Sequence, residues 1–259
     1  MACVFIFVIF CAIEGIIYGG PTLFTSVWAP DENKFGILTM IAGTAALSLS
    51  SLMLGFLLSL GSLCFILGFG PKSAASLLSS VLRMMTAVPT VIYGFASVFL
   101  LSPLIRDGFG GSGFSWLTAA LVLSVLITPT IVLAMESAVR PVFEEALPVG
   151  ASLGLTRAQT LVYAALTASR KGLCAAAILG FGRAAGDTMI PTMLAGNAVQ
   201  YPSTAVAPLR TLTAHIGLTL SSDIGGTAYY SLFVAGGILL LFSAAGSLAV
   251  SRLGRRGEE

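Results

Sequence analysis

The sequence predicts an all-α membrane protein of about six transmembrane helices, and three observations lead to this prediction. Hydrophobic residues make up 56% of the 259 residues, whereas charged residues make up only 9%. Soluble domains carry about 25% charged residues, because a folded chain must cover its surface with polar groups. The few charges also divide the chain into long uncharged runs, such as residues 35–71 and 108–135. Each run is long enough to cross a bilayer core, which needs about 20 helical residues.

The same composition excludes several other classes of protein. With 13 basic and 11 acidic residues, the formal net charge is only +2, so the chain has no broad basic face for nucleic acid. It is also too apolar for a soluble enzyme or a disordered chain. The four cysteines lie in apolar runs without C-x-x-C spacing, and His215 is the only histidine in the sequence. The sequence therefore predicts neither a disulfide framework nor a metal site.

Six helices are expected from the uncharged runs. Their approximate ranges are 2–19, 37–69, 76–104, 115–137, 172–197 and 228–251. The second and third ranges exceed one span, which predicts a tilt or an interfacial segment in each. We interpret the first helix as retained rather than as a secretory signal, because it lacks a basic start and a clean small-residue cleavage site.

The distribution of Lys and Arg predicts the orientation in the membrane. If the N-terminus is cytoplasmic, nine basic residues fall on the cytoplasmic side. These are Lys72, Arg83, Arg140, Arg157, Arg170, Lys171, Arg252, Arg255 and Arg256. Only Lys34, Arg106 and Arg210 then lie outside. Because short cytoplasmic loops are enriched in Lys and Arg, we expect both termini and residues 138–171 to be cytoplasmic.

The residue pattern of the segment 138–171 predicts helices rather than an irregular linker. Glu144 and Glu145 lie early in its first apolar stretch, where acidic residues favour a helix N-terminus. Pro148 is expected to bend or interrupt that helix, and Gly154 is expected to end it.

A second short helix is expected directly after this glycine. Thr156, Arg157, Ala158 and Gln159 form a capping-box pattern that opens such a helix. Two short helices around a glycine turn would make a compact knob, which either folds against the membrane surface or docks a cytoplasmic partner.

The fifth expected helix contains two charges at membrane depth. Arg183 and Asp187 are four residues apart, which places both on one face of a continuous helix. Such charges are costly in a bilayer, so they pair with each other to support packing or they face an aqueous path. In the second case Arg183 offers a fork of donors to an oxyanion. Gly182 and Gly186 form a small-xxx-small pattern that favours close helix packing, whereas Glu136, near a helix end, is expected to snorkel or cap.

Three residues predict distorted helices. Pro89 and Gly94 lie five apart in the third expected helix and should kink it, and Pro129 should kink the fourth. Freed backbone groups at such kinks are tolerated where they are buried in protein or line a cavity.

Three stretches together resemble the permease subunits of phosphate-specific ABC transporters, the PstC/PstA type and more closely PstC. The first is T-A-V-P-T-V-I-Y-G-F at residues 86–95. The second is G-L-T-R-A-Q-T at residues 154–160, followed by residues 166–172, which looks like the cytoplasmic EAA loop of ABC importer permeases. The third and most specific is G-F-G-R-A-A-G-D-T-M at residues 180–189, ending in Ala-Gly-Asn at 195–197. The resemblance covers roughly residues 14–252.

The EAA loop can be aligned in two registers. With Gly154 as the loop glycine, the motif glutamate falls on Pro148. With Gly150 as the loop glycine, Glu144 takes the glutamate position, but the Leu-Pro match downstream is lost. Even in the first register, the family's Leu-Pro reads Leu166-Thr167.

The resemblance implies a type I ABC importer permease in the bacterial cytoplasmic membrane. Residues 1–35 would form the first helix and an external segment, 36–252 the transmembrane domain and 253–259 a cytoplasmic tail. Its implied partners are a second, non-identical permease, two ATPase subunits, an external phosphate-binding protein and membrane lipid, with no nucleic acid. The chain itself has no Walker A pattern and would not be an enzyme, so ATP and Mg²⁺ would be used by the ATPase.

The resemblance also suggests roles for particular residues. Arg183 would contact phosphate, Asp187 would hold Arg183 and prevent trapping of the anion, and Thr188, Thr90 and Tyr93 would line the path. Residues 141–167 would form the coupling knob. Its expected contact residues are Glu144, Glu145, Gly150, Gly154, Thr156 and Arg157. The alternatives left open are a permease for sulfate, molybdate or phosphonate, a membrane enzyme, and a scaffold or sensor subunit that transports nothing.

Overall fold

Helices account for most of the chain in the computed structural model, which describes residues 2–32, 34–220 and 227–255. The long helices are α1 (Ala2–Gly19), α2 (Leu38–Cys64), α3 (Lys72–Ala87), α4 (Thr90–Phe109), α5 (Trp116–Ser152), α8 (Arg170–Ala185) and α11 (Thr227–Arg255). The short helices are α6 (Arg157–Thr160), α7 (Leu166–Ala168), α9 (Met189–Leu194) and α10 (Leu212–Thr219). Short 3-10 segments follow α1 and β1, and π-helical turns follow α2 and α6. The predicted all-α class is confirmed.

The chain divides into two units, each assembled from separate stretches. Unit 1 comprises Met1–Ser50, Thr90–Leu123 and Ala184–Ala244. Unit 2 comprises Ser51–Pro89, Ser124–Arg183 and Ala245–Glu259.

Unit 1 contains a small hydrophobic core beside a two-stranded hairpin. Strands β1 (Trp28–Ala29) and β2 (Lys34–Phe35) pair antiparallel, with Trp28 opposite Phe35. The core consists of Leu23, Phe35, Ile37, Met40, Leu212, Val234 and Ala235. Helices α1 and α11 approach closely at glycines, because a Cβ added at Gly15 would lie 2.8 Å from a Val234 methyl.

Unit 2 packs its helices through small residues. A Cβ at Gly55 would lie 2.9 Å from Ile127, and one at Gly180 would lie 2.5 Å from Ile131. The Ser59 hydroxyl donates to the Thr128 carbonyl at 3.3 Å. Close approach at small residues and hydroxyl bonds between helices are typical of membrane helix packing.

Four helices are long and apolar enough to cross a membrane, within the described ranges. They are Leu38–Phe69, Thr90–Phe109, Trp116–Ser152 and Ala228–Leu248. The bent pair Arg157–Ala168 and Arg170–Ala185 raises the count to five if it forms one span. The described apolar part of α1, Phe5–Ile17, is shorter than a span. The chain is therefore a multi-pass membrane protein, while the predicted total of six spans stays a prediction.

The third predicted helix is two helices, because Pro89 ends the first one. Val88 is extended, with φ −77° and ψ 127°, which is the conformation that a following proline imposes. Helix α4 begins at Thr90 and continues through Gly94. The structure thus has a break at Pro89, where a kink within one helix was predicted, and Gly94 lies within continuous helix.

The fourth predicted helix is longer than expected. Helix α5 runs through Pro129, Pro141 and Pro148 to Ser152 instead of ending near residue 137. Helix α5 is not interrupted at Pro148, so of the two expected outcomes only a bend there stays a prediction, and the expected separate helix over the start of the knob was wrong. Membrane helices tolerate proline where local adjustments and neighbouring groups satisfy the freed carbonyls.

Candidate functional site

The predicted fifth helix is broken at the residues that carry its most specific motif. Helix α8 ends at Ala185, residues 186–188 lie outside any helix, and α9 begins at Met189. Pro191 explains the break, because its ring would clash with the carbonyl of Asp187 in a continuous helix and it has no N–H to donate. Within α9, Pro191 lies in the first turn, where no intrahelical N–H bond is required.

Asp187 is buried at this break, with 4% of its surface exposed. Its carboxylate Oδ2 accepts the Ile190 N–H at 3.1 Å, so it caps the first turn of α9. Its carbonyl oxygen accepts the Thr213 hydroxyl at 2.8 Å. An acidic side chain at a helix N-terminus is also favoured by the helix dipole. The structure therefore gives Asp187 a capping function that the sequence did not predict.

Arg183 lies in the last turn of α8 and is half-buried. A basic side chain in this position is favoured by the helix C-terminus. Because the helix ends between Arg183 and Asp187, the expectation that both lie on one face of a continuous helix was wrong. The four-residue spacing of Arg183 and Asp187 carries no sign of this break, whereas Pro191 does.

Thr90 and Tyr93 lie on α4, which packs against α9 within unit 1. The closest approach is at Gly94, where an added Cβ would lie 2.7 Å from Met193 Sδ. Both Thr90 and Tyr93 are half-buried. Of the predicted path residues in unit 1, the structure thus brings the helix of Thr90 and Tyr93 against the helix that follows Asp187.

Thr188 is half-buried between the break and α10. Its carbonyl accepts the Thr192 hydroxyl at 2.6 Å. Its methyl group would lie 3.5 Å from a Cβ added at Gly217 of α10. The Thr188 carbonyl is therefore satisfied within α9, and its methyl group lies near Gly217.

Helix α10 was not predicted as a helix, yet it supports the break. The Thr211 hydroxyl caps it by accepting the Ala214 N–H at 3.1 Å and lies 2.9 Å from the Thr213 hydroxyl. The Leu212 N–H donates to Thr44 Oγ1 at 2.9 Å, which ties α10 to α2. The T-L-T pattern at residues 211–213 could have predicted this helix, because its first threonine is a suitable N-cap residue.

His215 anchors α10 from its other side. It is fully buried; its Nε2 lies 3.0 Å from Ser231 Oγ and its ring lies edge-on to Trp28 at 4.4 Å. Burial, and next the positive charge of Arg210, lower the pKa of His215 to about 4. The imidazole is therefore neutral at physiological pH and acts as a polar anchor rather than as a charge.

The knob in unit 2 begins with the end of α5 and a glycine turn. Gly154 has φ +76°, and its N–H donates to Ala151 O while the Leu155 N–H donates to Gly150 O. This pair of bonds is the Schellman motif that ends helices at glycine. The predicted stop at Gly154 is confirmed.

The predicted capping box opens the next helix of the knob. Thr156 Oγ1 accepts the Gln159 N–H, and Gln159 Oε1 accepts the Thr156 N–H at 2.9 Å. Arg157 lies over the Phe143 ring at 5.6 Å. These contacts hold α6 against the end of α5.

An apolar groove of about 400 Å³ runs along the knob. Its lining includes Glu145, Val149, Gly150, Leu153, Leu155 and Thr160. A Cβ at Gly150 would lie 2.3 Å from Thr160 Oγ1, so only glycine permits this approach. Leu153 is 73% exposed and Val149 is 61% exposed, so the groove presents apolar surface.

Glu136 lies on α5 just before the knob and is buried rather than snorkelling. It forms ion pairs with Arg140 on its own helix and with Arg83 of α3, the latter at 3.8 Å. Arg140 also reaches Glu144 at 3.7 Å. Among the described residues, no group of three His, Cys, Asp or Glu side chains could hold a metal ion.

Comparison with known proteins gives relatives along most of the chain. The probable ABC transporter permease protein YqgH of Bacillus subtilis is 29% identical over 217 residues, which cover 83% of this chain and 70% of the relative. The phosphate transport system permease protein PstC of Haemophilus influenzae is 28% identical over 249 residues, covering 87% and 77%. A probable PstC of Methanocaldococcus jannaschii is 25% identical over 247 residues, covering 86% and 77%.

No family model matches the chain. The similarity to these relatives nevertheless covers most of the chain, and it agrees with the PstC-type resemblance of the three sequence motifs. Along most of its length the chain is similar to ABC transporter permeases, among them PstC phosphate permeases.

Proposed function

We propose that this chain is the permease subunit of an ATP-driven importer that moves inorganic phosphate across the cytoplasmic membrane. The observation that carries the proposal is the similarity of most of the chain to proteins named phosphate transport system permeases. A permease of this kind is not itself an enzyme and belongs to a transport system with other subunits.

Arg183 contacts the phosphate during translocation. A dianion cannot cross about 30 Å of hydrocarbon without compensation of its charge. A guanidinium offers a fork of donors that matches two oxygens of a tetrahedral oxyanion. The position of Arg183 in the last turn before an interrupted backbone supports this function, because irregular backbone at membrane depth is tolerated where it is buried or lines an aqueous cavity.

Asp187 keeps the broken helix in its shape and limits how tightly the anion is held. Its carboxylate caps α9 and its carbonyl is held by Thr213, so the backbone on the C-terminal side of the break is fixed. Its negative charge opposes trapping of the anion, and a transport site that binds too tightly does not release its ligand. Thr188, Thr90 and Tyr93 line the same path.

The knob transmits the movement of the ATPase subunits to the membrane helices. Helix α5 is continuous from Trp116 in the apolar region to Ser152 in the knob, a length of about 55 Å at 1.5 Å per residue. A force applied to the groove at Val149 and Leu153 therefore reaches the membrane through unbroken helix. Transport energy comes from the difference in stability of the inward-open and outward-open states with and without ATP.

The remaining partners and the orientation follow the charge distribution and the family resemblance. The knob and both termini are cytoplasmic, where two ATPase subunits dock. A second, non-identical permease completes the pathway, and an external binding protein delivers phosphate to the outer face.

The test is ATP-dependent uptake of radiolabelled phosphate into vesicles that hold the complete complex. The parent and the Arg183→Ala variant are compared with Arg106→Ala, a control at an exposed arginine that pairs with Asp107. We expect uptake by the parent and the control, and loss of uptake with Arg183→Ala while assembly and ATP hydrolysis persist.

Two results would overturn parts of the proposal. Normal uptake by Arg183→Ala would remove Arg183 from the path. An assembled parent complex that imports sulfate or molybdate but not phosphate would leave the family assignment intact and change the substrate.

A further inference from the structure

Three basic residues lie in the segments predicted to be external, and one of them differs from the other two. Lys34 pairs with Glu32 at 2.6 Å, and Arg106 pairs with Asp107 at 3.1 Å. The side chains of both cations are more than half exposed. Arg210 is half-buried and forms no ion pair with a carboxylate in the described part of the chain.

Arg210 is held in a fixed position. Its Nε donates to the Asn197 carbonyl at 2.9 Å. Asn197 is itself fixed, because its Nδ2 donates to the Thr192 carbonyl at 2.6 Å and its backbone is left-handed, with φ +55°. The Leu209 N–H donates to Ala195 O at 2.9 Å, and a Cβ at Gly43 would lie 2.4 Å from the Arg210 carbonyl.

The terminal nitrogens of this guanidinium have no acceptor among the described residues. Nε is the guanidinium atom that bonds to protein, so Nη1 and Nη2 keep their four N–H donors for solvent or a ligand. Burial lowers the pKa of Arg210, which reflects the cost of removing its charge from water. Partly buried charges without a counter-ion are unfavourable, and a bound anion removes that cost.

The neighbouring histidine adds no second charge. His215 is fully buried, and with Arg210 nearby its neutral form is favoured. A ligand that approaches Arg210 therefore meets no second positive charge from His215, and among the described residues the Nη1 and Nη2 donors have no acceptor.

We propose that Arg210 binds the transported tetrahedral oxyanion through Nη1 and Nη2 before the anion reaches the helix break. Thr213, whose hydroxyl holds the Asp187 carbonyl, lies three positions after Arg210, so their Cα atoms are at most about 11 Å apart. The anion is thus received close to the C-terminal side of the break. This inference rests on the proposed function and adds a second anion contact to it.

The experiment separates anion binding from a structural role of the same arginine. Uptake of phosphate and ATP hydrolysis are measured together for complexes carrying Arg210→Gln, Arg210→Lys or the control Arg106→Gln. With Arg210→Gln we expect uptake to fall about tenfold, the range for a hydrogen bond to a charged group, while stimulated ATP hydrolysis persists. Arg210→Lys keeps the charge and should recover part of the uptake, and the control should transport normally.

Chemical restoration of the charge tests the sign of the interaction directly. An Arg210→Cys variant is treated with a cationic, a neutral or an anionic methanethiosulfonate reagent, and the parent with its four native cysteines is treated in parallel. Only the cationic reagent should raise uptake in the variant. Equal uptake after all three reagents would show that Arg210 stabilises the fold and does not bind the anion. An equal loss of uptake and of ATP hydrolysis in Arg210→Gln would lead to the same conclusion.

The two proposals fail differently. If the parent imports sulfate instead of phosphate, the same variants are measured with sulfate. Loss of sulfate uptake in Arg210→Gln then supports the inference on Arg210, and normal sulfate uptake overturns it. If the parent imports phosphate and Arg210→Gln matches it, only the inference on Arg210 is overturned. A parent that imports no oxyanion overturns both.

Discussion

Helix α8 has an interruption at each end, and the two interruptions satisfy their backbone in different ways. At its start, Ser169 lies between the segments Arg157–Ala168 and Arg170–Ala185, which are bent by 75°. The backbone bonds continue there, because the Ser169 N–H donates to Ala165 O and the Leu173 N–H donates to Ser169 O. At its end, the Asp187 carbonyl is satisfied by the side chain of Thr213, which is 26 residues away.

This difference separates a bend from a break. The bend at Ser169 keeps its hydrogen bonds local, so it needs little from its own side chain. The break at residues 186–188 depends on one carboxylate and one distant hydroxyl, both buried. Buried polar groups that lose their partner are costly, so the break should be far more sensitive to substitution than the bend.

The largest effect is expected from Asp187→Ala. This change removes the acceptor of the Ile190 N–H, and loss of such a cap costs about 1–2 kcal/mol of stability. Phosphate uptake should fall to background, because both the cap and the negative charge are lost. Uptake in vesicles and thermal melting of the complex measure the two consequences.

Asp187→Asn is the matched control, since it keeps an acceptor oxygen without the charge. It should melt like the parent but transport poorly. If it transports like the parent, the charge of Asp187 has no function in translocation. If Asp187→Ala melts like the parent, the capping function is wrong.

A smaller effect on uptake is expected from Thr213→Val. Valine has a similar shape but no hydroxyl, so the buried Asp187 carbonyl loses its donor at a cost of about 1–3 kcal/mol. Uptake should fall several-fold, and Thr213→Ser, which keeps the hydroxyl, should restore most of it. Equal uptake by the valine and serine variants would show that the hydrogen bond does not support the break.

The sequence predicted the local features of the knob better than those of the break. The Thr156 capping box and the Gly154 stop depend on residues within one helical turn, so their spacing was sufficient. The contact of Thr213 with Asp187 brings together residues far apart in the chain, and no local pattern specifies it. Pro191 is the local signal that could have predicted the break, because proline has no N–H to donate to the Asp187 carbonyl.

Other prolines in the chain differ in whether they end a helix. Pro89 ends a helix, whereas α5 continues through Pro129, Pro141 and Pro148. The residue type is the same, so the surrounding structure decides whether the lost hydrogen bond is tolerated. Sequence spacing alone could not distinguish these cases.

A pH-dependent effect is expected from His215, which anchors the helix that carries Thr213. The folded-state pKa of His215 is about 4, below its ordinary value of 6.5, because of burial and the charge of Arg210. The unfolded chain therefore binds a proton between these values and the folded protein does not. The contribution of neutral His215 to the free energy of unfolding is fully present above pH 6.5. It decreases by about 3 kcal/mol as the pH falls towards 4.

Melting temperatures of the parent and a His215→Gln variant, measured from pH 7.5 to about 4, test this expectation. The variant should be less stable at neutral pH, because it loses the contacts to Ser231 and Trp28, but its stability should fall less towards acidic pH. Parallel pH profiles of the two proteins would contradict a neutral, proton-excluding His215.

The smallest effect is expected from Ser169→Ala at the bend. The Ser169 hydroxyl reaches the Ala138 carbonyl only at 3.4 Å, and the backbone bonds on both sides remain in the variant. Stability should change by less than about 1 kcal/mol, and uptake should match that of the parent. Measured beside Asp187→Ala in the same vesicles, this variant tests whether the bend is less sensitive to substitution than the break. If Ser169→Ala loses uptake as completely as Asp187→Ala, the bend depends on its side chain as much as the break does, and the distinction between the two ends of α8 is wrong.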